Sequence, residues 1–576
     1  MATWRDLLVT HKTFLDPIHG DIHLSALETA IVDTSAFQRL ARVRQLGFAN
    51  MVYRGAVHTR FEHSLGTHAV AVRMIAAVNG NPHAPVSIPD RAKVVIRLAS
   101  LLHDIAHIPS GHTLEDELGL MPRHDTETEF ERLLGATTEI GQLIERSIGL
   151  AFDPSEGREA REQVVKVLSA KDDDQIAVLP YPYAADIIGN TICADLIDYL
   201  ARDAYFTGLP ERFRERFLDY MFISSEGDLH GNYKSRVVLR LFKWSTKQLR
   251  SDNLSDIISL LRYRYRNSER VYFHHTKMKA GAMIGRALLE TPLATKRELF
   301  YERQYSDDSL VDALLKERSK AAEHVASALR DRRLYSNVVE INFAGIPEKD
   351  RLLAQQCLYR LRPASEYLKW TSEIEERFYL RRGDVLFYIP PAKMQLKEAD
   401  VLVAVEGDRD IRRLQDIGIQ MPEEEVRHIQ EQHRNLWRFH LLVHPEIPFE
   451  TGLAVARYFQ ERCAAEFDFS FENQAPRYRS AIQSDHRNEV EVSLDAAISR
   501  FLRDQNTRVE APERDRLRVV AQEAARRDSD FGKQFQREQL PLGVAPRVFG
   551  KKIEYATWHE IISDVWRATQ RGKMTG

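Results

Sequence analysis

Apolar residues recur at three- and four-residue intervals through most of the first 150 positions. LETAIVDTSAFQRLARVRQLG keeps that spacing up to Gly47, EHSLGTHAVAVRMIAAVNG up to Gly80, and DRAKVVIRLASLLHDIAHIPSG up to Pro109, which predicts three amphipathic helices with Gly or Pro at their ends. Residues 151–180 (DPSEGREAREQ, AKDDDQ, LPYP) are polar with Pro-bounded ends and predict a helical insertion, after which AADIIGNTICADLIDYLARDAYFTG resumes a buried helix. A long helical block follows from about 238 to 335. From about 337 strand-like runs (NVVEINF, DVLFYIP, DVLVAVE, RFHLLVH) alternate with helical ones (KDRLLAQQCLYRL, GLAVARYFQERCAAEF). The pattern predicts a mainly α protein: a helical core over 1–335, a smaller α+β lobe over 336–490 and a charged helical segment over 491–576.

Composition narrows the class without naming a chemistry. With 576 residues, 43% of them hydrophobic, and 81 Lys+Arg against 84 Asp+Glu, the chain suits several globular units and excludes disorder. No run reaches the roughly 18 apolar residues of a membrane helix, and Asp6 precedes any apolar stretch long enough for a signal peptide, so a cytoplasmic protein without membrane partners is expected. Cys193, Cys357 and Cys463 lie far apart with no CxxC, which disfavours a disulfide framework or a thiolate zinc site. The near-neutral charge argues against nucleic-acid binding by bulk electrostatics. From residue 500 onward, 16 Lys+Arg against 11 Asp+Glu leave an interface or a weak single-strand contact open beside a solvated helical face.

The histidines change the picture. Eleven of 21 fall within the first 124 residues. In RLASLLHDIAHIPSGH, His103 and Asp104 can both offer donor atoms to one cation, and helical spacing would put His107 on the same face as His103. An ionised Asp104 amid Leu98, Leu101, Leu102 and Ile105 costs several kcal/mol unless paired or metal-bound, which favours a metal over a hydrogen-bonded core histidine. His63, preceded by Arg60 and Glu62, is a second candidate. Asp195, Tyr199 and Asp203 form a stripe at i, i+4 and i+8 with Arg202 beside it. Two imidazoles and two carboxylates would suit Mn, Fe, Zn or, less well, Mg.

The order His63, His103–Asp104, Asp195 resembles the H…HD…D pattern of the HD superfamily of metal-dependent phosphohydrolases. FLDPIHGDIHL, DTSAFQRLARVRQLG, HTRFEHSLGTH, LLHDIAHIPSGH and DLIDYLARD, in that order, look like the deoxynucleoside triphosphate triphosphohydrolases within it. The resemblance covers residues 12 to about 285. It implies an HD-domain core in which His63, His103, Asp104 and Asp195 hold a divalent metal (Mn, Fe, Zn or Mg) and His107, His112 and His124 complete the catalytic site. His112 would be the acid for the leaving group. Gln45, Leu46 and Asp203 would meet the sugar, and Arg60, Tyr199 and Arg266 the phosphates.

The same resemblance implies a deoxynucleotide substrate and a homo-oligomer linked by nucleotides. Three positions depart from the family's vertebrate members. Leu196 replaces a phosphate-binding lysine, His274 a tyrosine packed on the sugar, and Ala41 an arginine of the regulatory nucleotide site, although Asp33 and Gln38 of that stretch are kept. An allosteric nucleotide is therefore left open. So are two rival functions: an HD-type nucleotide phosphatase or phosphodiesterase, and a nucleotide-sensing interaction protein.

Overall fold

The computed structural model describes residues 3–478 apart from 190–191, 210–212, 293–299, 301–304, 318 and 391–400. It is mainly helical, with small sheets. The chain divides into two units, one of Met1–Gly281, Pro292–Ala313 and Lys393–Trp437, the other of Ala282–Thr291, Leu314–Ala392 and Arg438–Gly576. Among the described residues no helix is long and apolar enough to cross a membrane.

The first unit opens with an antiparallel hairpin, β1 (Thr10–Asp16) and β2 (Gly20–Ser25), in register Phe14 to Ile22. Gly20 closes the turn at a φ of 71°, a left-handed conformation that favours glycine. Next come α1 (Ala26–Val32), α2 (Arg60–Gly80), α3 (Asp90–Leu102) and, among further helices, α4 (Pro154–Ser169) and α5 (Ala194–Thr207). Ser25 and Glu28 form a capping box at α1, as Thr59 and Glu62 do at α2. Ile31, Met74, Val95, Leu101, Val164 and Leu200 are buried in one core that joins these helices.

Glu28 ties three helices together. Its carboxylate accepts from Ser25 N at 2.7 Å, from Arg97 Nη2 at 2.6 Å and Nε at 2.7 Å, and from His68 Nε2 at 3.1 Å. Burial alone would raise its pKa, but His68 and Arg97 outweigh burial and hold it at about 2. The folded value lies below the ordinary 4.5, so the contribution to stability is complete above pH 4.5 and is lost as pH falls through 2. It amounts to about 3 kcal/mol. Urea unfolding between pH 5 and pH 2 is expected to lose that amount, and Glu28→Gln to flatten this part of the profile.

Several expectations change at their edges. The single helix predicted to end at Gly47 breaks after Val32, because the Thr34 hydroxyl bonds both ways: it accepts from Phe37 N and donates to Ile31 O, starting a new turn. The helix predicted through Pro109 stops at Leu102. Pro109, lacking an N–H, rules out a helical bond to the Ile105 carbonyl, although it does not by itself end the helix at Leu102. Arg39 bonds that carbonyl instead, donating to Ile105 O at 2.7 Å and to His107 O at 2.6 Å. Within the 151–180 stretch, α4 buries Ala160, Val164, Val165 and Leu168 in the main core. The buried helix predicted over AADIIGNTICADLIDYLARDAYFTG is two, Pro182–Gly189 and α5, the second capped by Cys193, whose Sγ accepts from Leu196 N.

Two further sheets account for the strand-like runs. Leu402–Ala404, predicted for the lobe, pairs parallel with Val237–Arg240 in a four-stranded sheet of the first unit that also contains Met221–Ile223 and Ile411–Arg413. In the second unit, Ser336–Asn342, Arg438–Val443 and Val385–Tyr388 form an antiparallel sheet with Arg438–Val443 central. Phe387 and Phe439 of that sheet pack with Phe459 and Trp370. The charged segment predicted over 491–576 lies outside the described residues.

Candidate metal centre

Three helices bring four donors to one place. His63 stands in the first turn of α2, His103 and Asp104 follow the last residue of α3, and Asp195 is in the first turn of α5. His63 Nε2 lies 3.1 Å from His103 Nε2, 3.0 Å from Asp195 Oδ1 and 3.6 Å from Asp104 Oδ2. His103 Nε2 lies 3.5 Å from Asp104 Oδ1 and 3.7 Å from Asp195 Oδ1. Donors bound to one cation at about 2.1 Å stand about 3.0 to 3.4 Å apart; the His63–His103 and His63–Asp195 distances meet this, and the other three exceed it by a few tenths of an ångström.

Protonation makes the same case. His63 Nδ1 donates to Asp198 Oδ2 at 2.7 Å and His103 Nδ1 to the Ser100 carbonyl at 2.8 Å. In the neutral rings both Nε2 atoms are then bare lone pairs facing each other, a repulsion that a shared cation relieves. The cluster can therefore hold a divalent metal, with each imidazole oriented through its other nitrogen. With protons alone, burial opposes charge on His63, but Asp195, Asp198 and Asp104 outweigh it and push the pKa up to about 10. Burial also opposes charge on Asp104, and Arg60, His103 and His107 hold it well below the usual carboxylate range.

A second group adjoins the first through Asp104. His107 is not on a helix face shared with His103, because the chain turns at 103–106; it still reaches Asp104 Oδ1 at 3.3 Å through Nε2. His124 stacks on it with ring centroids 3.4 Å apart, and the His124 Nε2 lies 4.0 Å from the same oxygen. Glu115 faces both rings from behind, 2.6 Å from His124 Nδ1 and 3.5 Å from His107 Nδ1. Two parallel Nε2 edges thus point toward Asp104. Gly111 makes room for this, since a Cβ there would stand 2.4 Å from His107 Nδ1. His112 is half exposed, its ring 4.7 Å from His107, and its Nδ1 donates to Asp116 Oδ2 at 2.9 Å.

The predicted substrate residues are distributed unevenly. Arg60 is buried and its Nη1 donates to Asp104 Oδ2 at 2.6 Å, while Nη2 reaches Gln45 O at 3.4 Å. Both oxygens of Asp203 are engaged, by His58 Nε2 at 2.8 Å and by the Tyr272 hydroxyl at 2.7 Å. Gln45 has a buried Oε1 without a hydrogen-bond partner among the described residues. Leu46 packs with Val271 beside Tyr272, and Tyr199 lies 6.2 Å from the Tyr272 ring. Arg266 is exposed near the end of the helix Ser251–Asn267. Leu196 is buried in the main core, and His274 packs against Tyr53. Sequence reasoning missed Asp198, Glu115 and Asp116. Their only signal is helical offset, Asp198 standing at i+3 from Asp195 and Asp116 at i+4 from His112.

Comparison with known proteins agrees with this architecture. Residues 60–203 match the HD domain, and residues 242–464 match the HD-associated region. The chain is 26% identical over 415 residues to an uncharacterized protein of Methanocaldococcus jannaschii, covering 70% of this chain and 74% of that one. It is 30% identical over 241 residues to the deoxynucleoside triphosphate triphosphohydrolase SAMHD1 of Xenopus laevis, spanning 38% of that enzyme's length. A crystal structure of a hypothetical protein from Aquifex aeolicus shares the fold, with a TM-score of 0.50 and 20% identity over 77% of this chain and 99% of that one.

Proposed function

Residues 60–203 are an HD domain, of the superfamily of metal-dependent phosphohydrolases, and on that premise we propose that the protein hydrolyses deoxynucleoside triphosphates to deoxynucleoside and inorganic triphosphate. The observation that carries the reading is the convergence of the His63 and His103 lone pairs with Asp104 and Asp195, beside the paired Nε2 edges of His107 and His124. The similarity to the frog triphosphohydrolase supports the substrate class.

A divalent cation held by His63, His103, Asp104 and Asp195 supplies, when bound, Lewis acidity toward a phosphoryl oxygen and a lowered pKa for water. The remaining work falls to side chains. His107 and His124, oriented by Glu115, direct Nε2 toward the α-phosphate and the water aligned with it. His112, oriented by Asp116, gives an Nε2 proton to the departing 5′-oxygen as the phosphorus–oxygen bond to the nucleoside breaks, while the attacking water forms the new phosphorus–oxygen bond and releases a proton to solvent. Gln45, with its unpartnered Oε1, accepts from the sugar 3′-hydroxyl. Asp203, already engaged by His58 and Tyr272, shapes that side of the pocket.

Removing the acid tests this division of labour. His112→Ala is expected to lower kcat by about 10² to 10⁴-fold while bound metal is unchanged, and to lose little on a substrate whose leaving group needs no proton. Steady-state rates with a dNTP and with a p-nitrophenyl ester read the difference. Turnover itself is tested with the four dNTPs, singly and mixed, with Mn, Fe, Zn or Mg supplied; activity confined to mixtures would reveal an activating nucleotide. One observation favours a second reading, a phosphatase for shorter nucleotides. Arg60 is bound to Asp104 and position 196 is a buried leucine, so fewer cations face a triphosphate tail.

A further inference from the structure

The FLDPIHG motif of the hairpin has no place in the chemistry above, yet it ends in the same cluster. Asp198 lies fully buried beneath His63. Its Oδ2 accepts from His63 Nδ1 at 2.7 Å and from Arg202 Nε at 3.0 Å; its Oδ1 accepts from His19 Nε2 at 2.6 Å and from Arg202 Nη2 at 2.9 Å. Four donors saturate one carboxylate. Arg202 continues to Asp16, where Nη1 donates to Oδ2 at 2.8 Å. Asp16 Oδ1 accepts from the backbone N–H of Ile18 and of His19, each at 2.9 Å, which folds the turn so that the His19 ring faces Asp198. Asp16, the hairpin turn, His19, Asp198 and Arg202 therefore close a ring behind His63.

We infer that this ring is the positioning device of the metal centre: the hairpin turn, through His19 and Asp198, fixes His63 with Nδ1 protonated and Nε2 bare, and so sets the affinity for the cation. The inference rests on the reading of His63 as a metal ligand. Were Asp198 free to rotate, the His63 proton could move to Nε2 and occupy the position the cation needs. An imidazole oriented by a buried carboxylate is also the more basic ligand, and loss of such outer partners weakens metal binding about 10 to 100-fold in general. Asp198 touches no substrate and His19 is two bonds of the network away from the donors, so both are positioning residues.

Calorimetric titration of the metal-free full-length chain with Mn²⁺ tests this without relying on turnover. Asp198→Asn is expected to weaken Mn²⁺ binding about 10-fold or more. His19→Ala, which removes one of the four donors to Asp198 and leaves the three from His63 and Arg202, is expected to weaken it about 3 to 10-fold and carries the test alone should Asp198→Asn fail to fold. Glu28→Gln, which removes a buried contact at the far end of the same hairpin, serves as the structural comparison and is expected to lower the melting temperature with Mn²⁺ affinity unchanged. Wild-type affinity in His19→Ala overturns the inference. So does a Glu28→Gln chain that loses Mn²⁺ affinity as far as His19→Ala does, because the hairpin would then act through stability alone. A chain that shows the expected affinities but hydrolyses no dNTP overturns the proposed activity and leaves the positioning ring standing.

Discussion

Asp104→Asn is expected to reduce turnover by at least about 10³-fold and to remove the bound metal, because Asp104 meets both candidate ligand histidines and both auxiliary histidines of the proposed site. Its carboxylate lies within 4.0 Å of His63, His103, His107, His124 and Arg60 at once. The amide keeps the size and can still accept from Arg60, but it loses the charge that would hold a divalent cation and that balances the buried guanidinium. Asp104→Ala would add a different injury, since leaving Arg60 buried without its partner costs about 3 to 5 kcal/mol. Metal content by mass spectrometry, kcat and a melting curve separate the two effects. Full metal occupancy in Asp104→Asn would mean that Asp104 is not a ligand.

Gly66→Ala is expected to be strongly destabilising. At Gly66 of α2 a Cβ would stand 1.9 Å from Asp198 Oδ1 and 2.3 Å from Arg202 Nη2 on α5. Neither atom has slack, because both belong to the ring of hydrogen bonds behind His63. Either the two helices separate or the buried ion pair breaks, at a cost of about 3 kcal/mol or more. Gly80→Ala, at the other end of the same helix, meets nothing within 4 Å and is expected to change stability by less than about 0.5 kcal/mol. Urea unfolding of the two variants checks the contrast; similar midpoints would show that the helices are not in close contact at Gly66.

Much of the helical core was legible because its residues obey a 3.6-residue period, and His103 and Asp104 could be singled out as candidate metal donors because they interrupt an apolar helix. Asp104 is the clearest case: its cost among leucines demanded a partner before any geometry was known. What periodicity does not carry is the identity of the partner. Asp198 and Arg202 look like a solvated ion pair at i and i+4, yet both are fully buried. Beyond Leu102 the Ile105 carbonyl is bonded by Arg39, 66 residues upstream of it. Leu402–Ala404 read correctly as a strand, but a strand's sequence does not say which sheet it joins, and it pairs with Val237–Arg240 rather than with its neighbours in the chain. Asp203 kept the family's residue type while both its oxygens were taken by His58 and Tyr272, residues with no signal in the pattern.

Hydrolysis at the α-phosphorus with loss of the whole triphosphate, the activity proposed above, is tested by running the reaction of the metal-loaded chain in ¹⁸O-enriched water and following it by phosphorus NMR. Inorganic triphosphate is expected as the only phosphorus product, with one ¹⁸O on a terminal phosphorus and none in the released deoxynucleoside. Orthophosphate or pyrophosphate as the product, label in the nucleoside 5′-hydroxyl, or no turnover of any dNTP or mixture would contradict it.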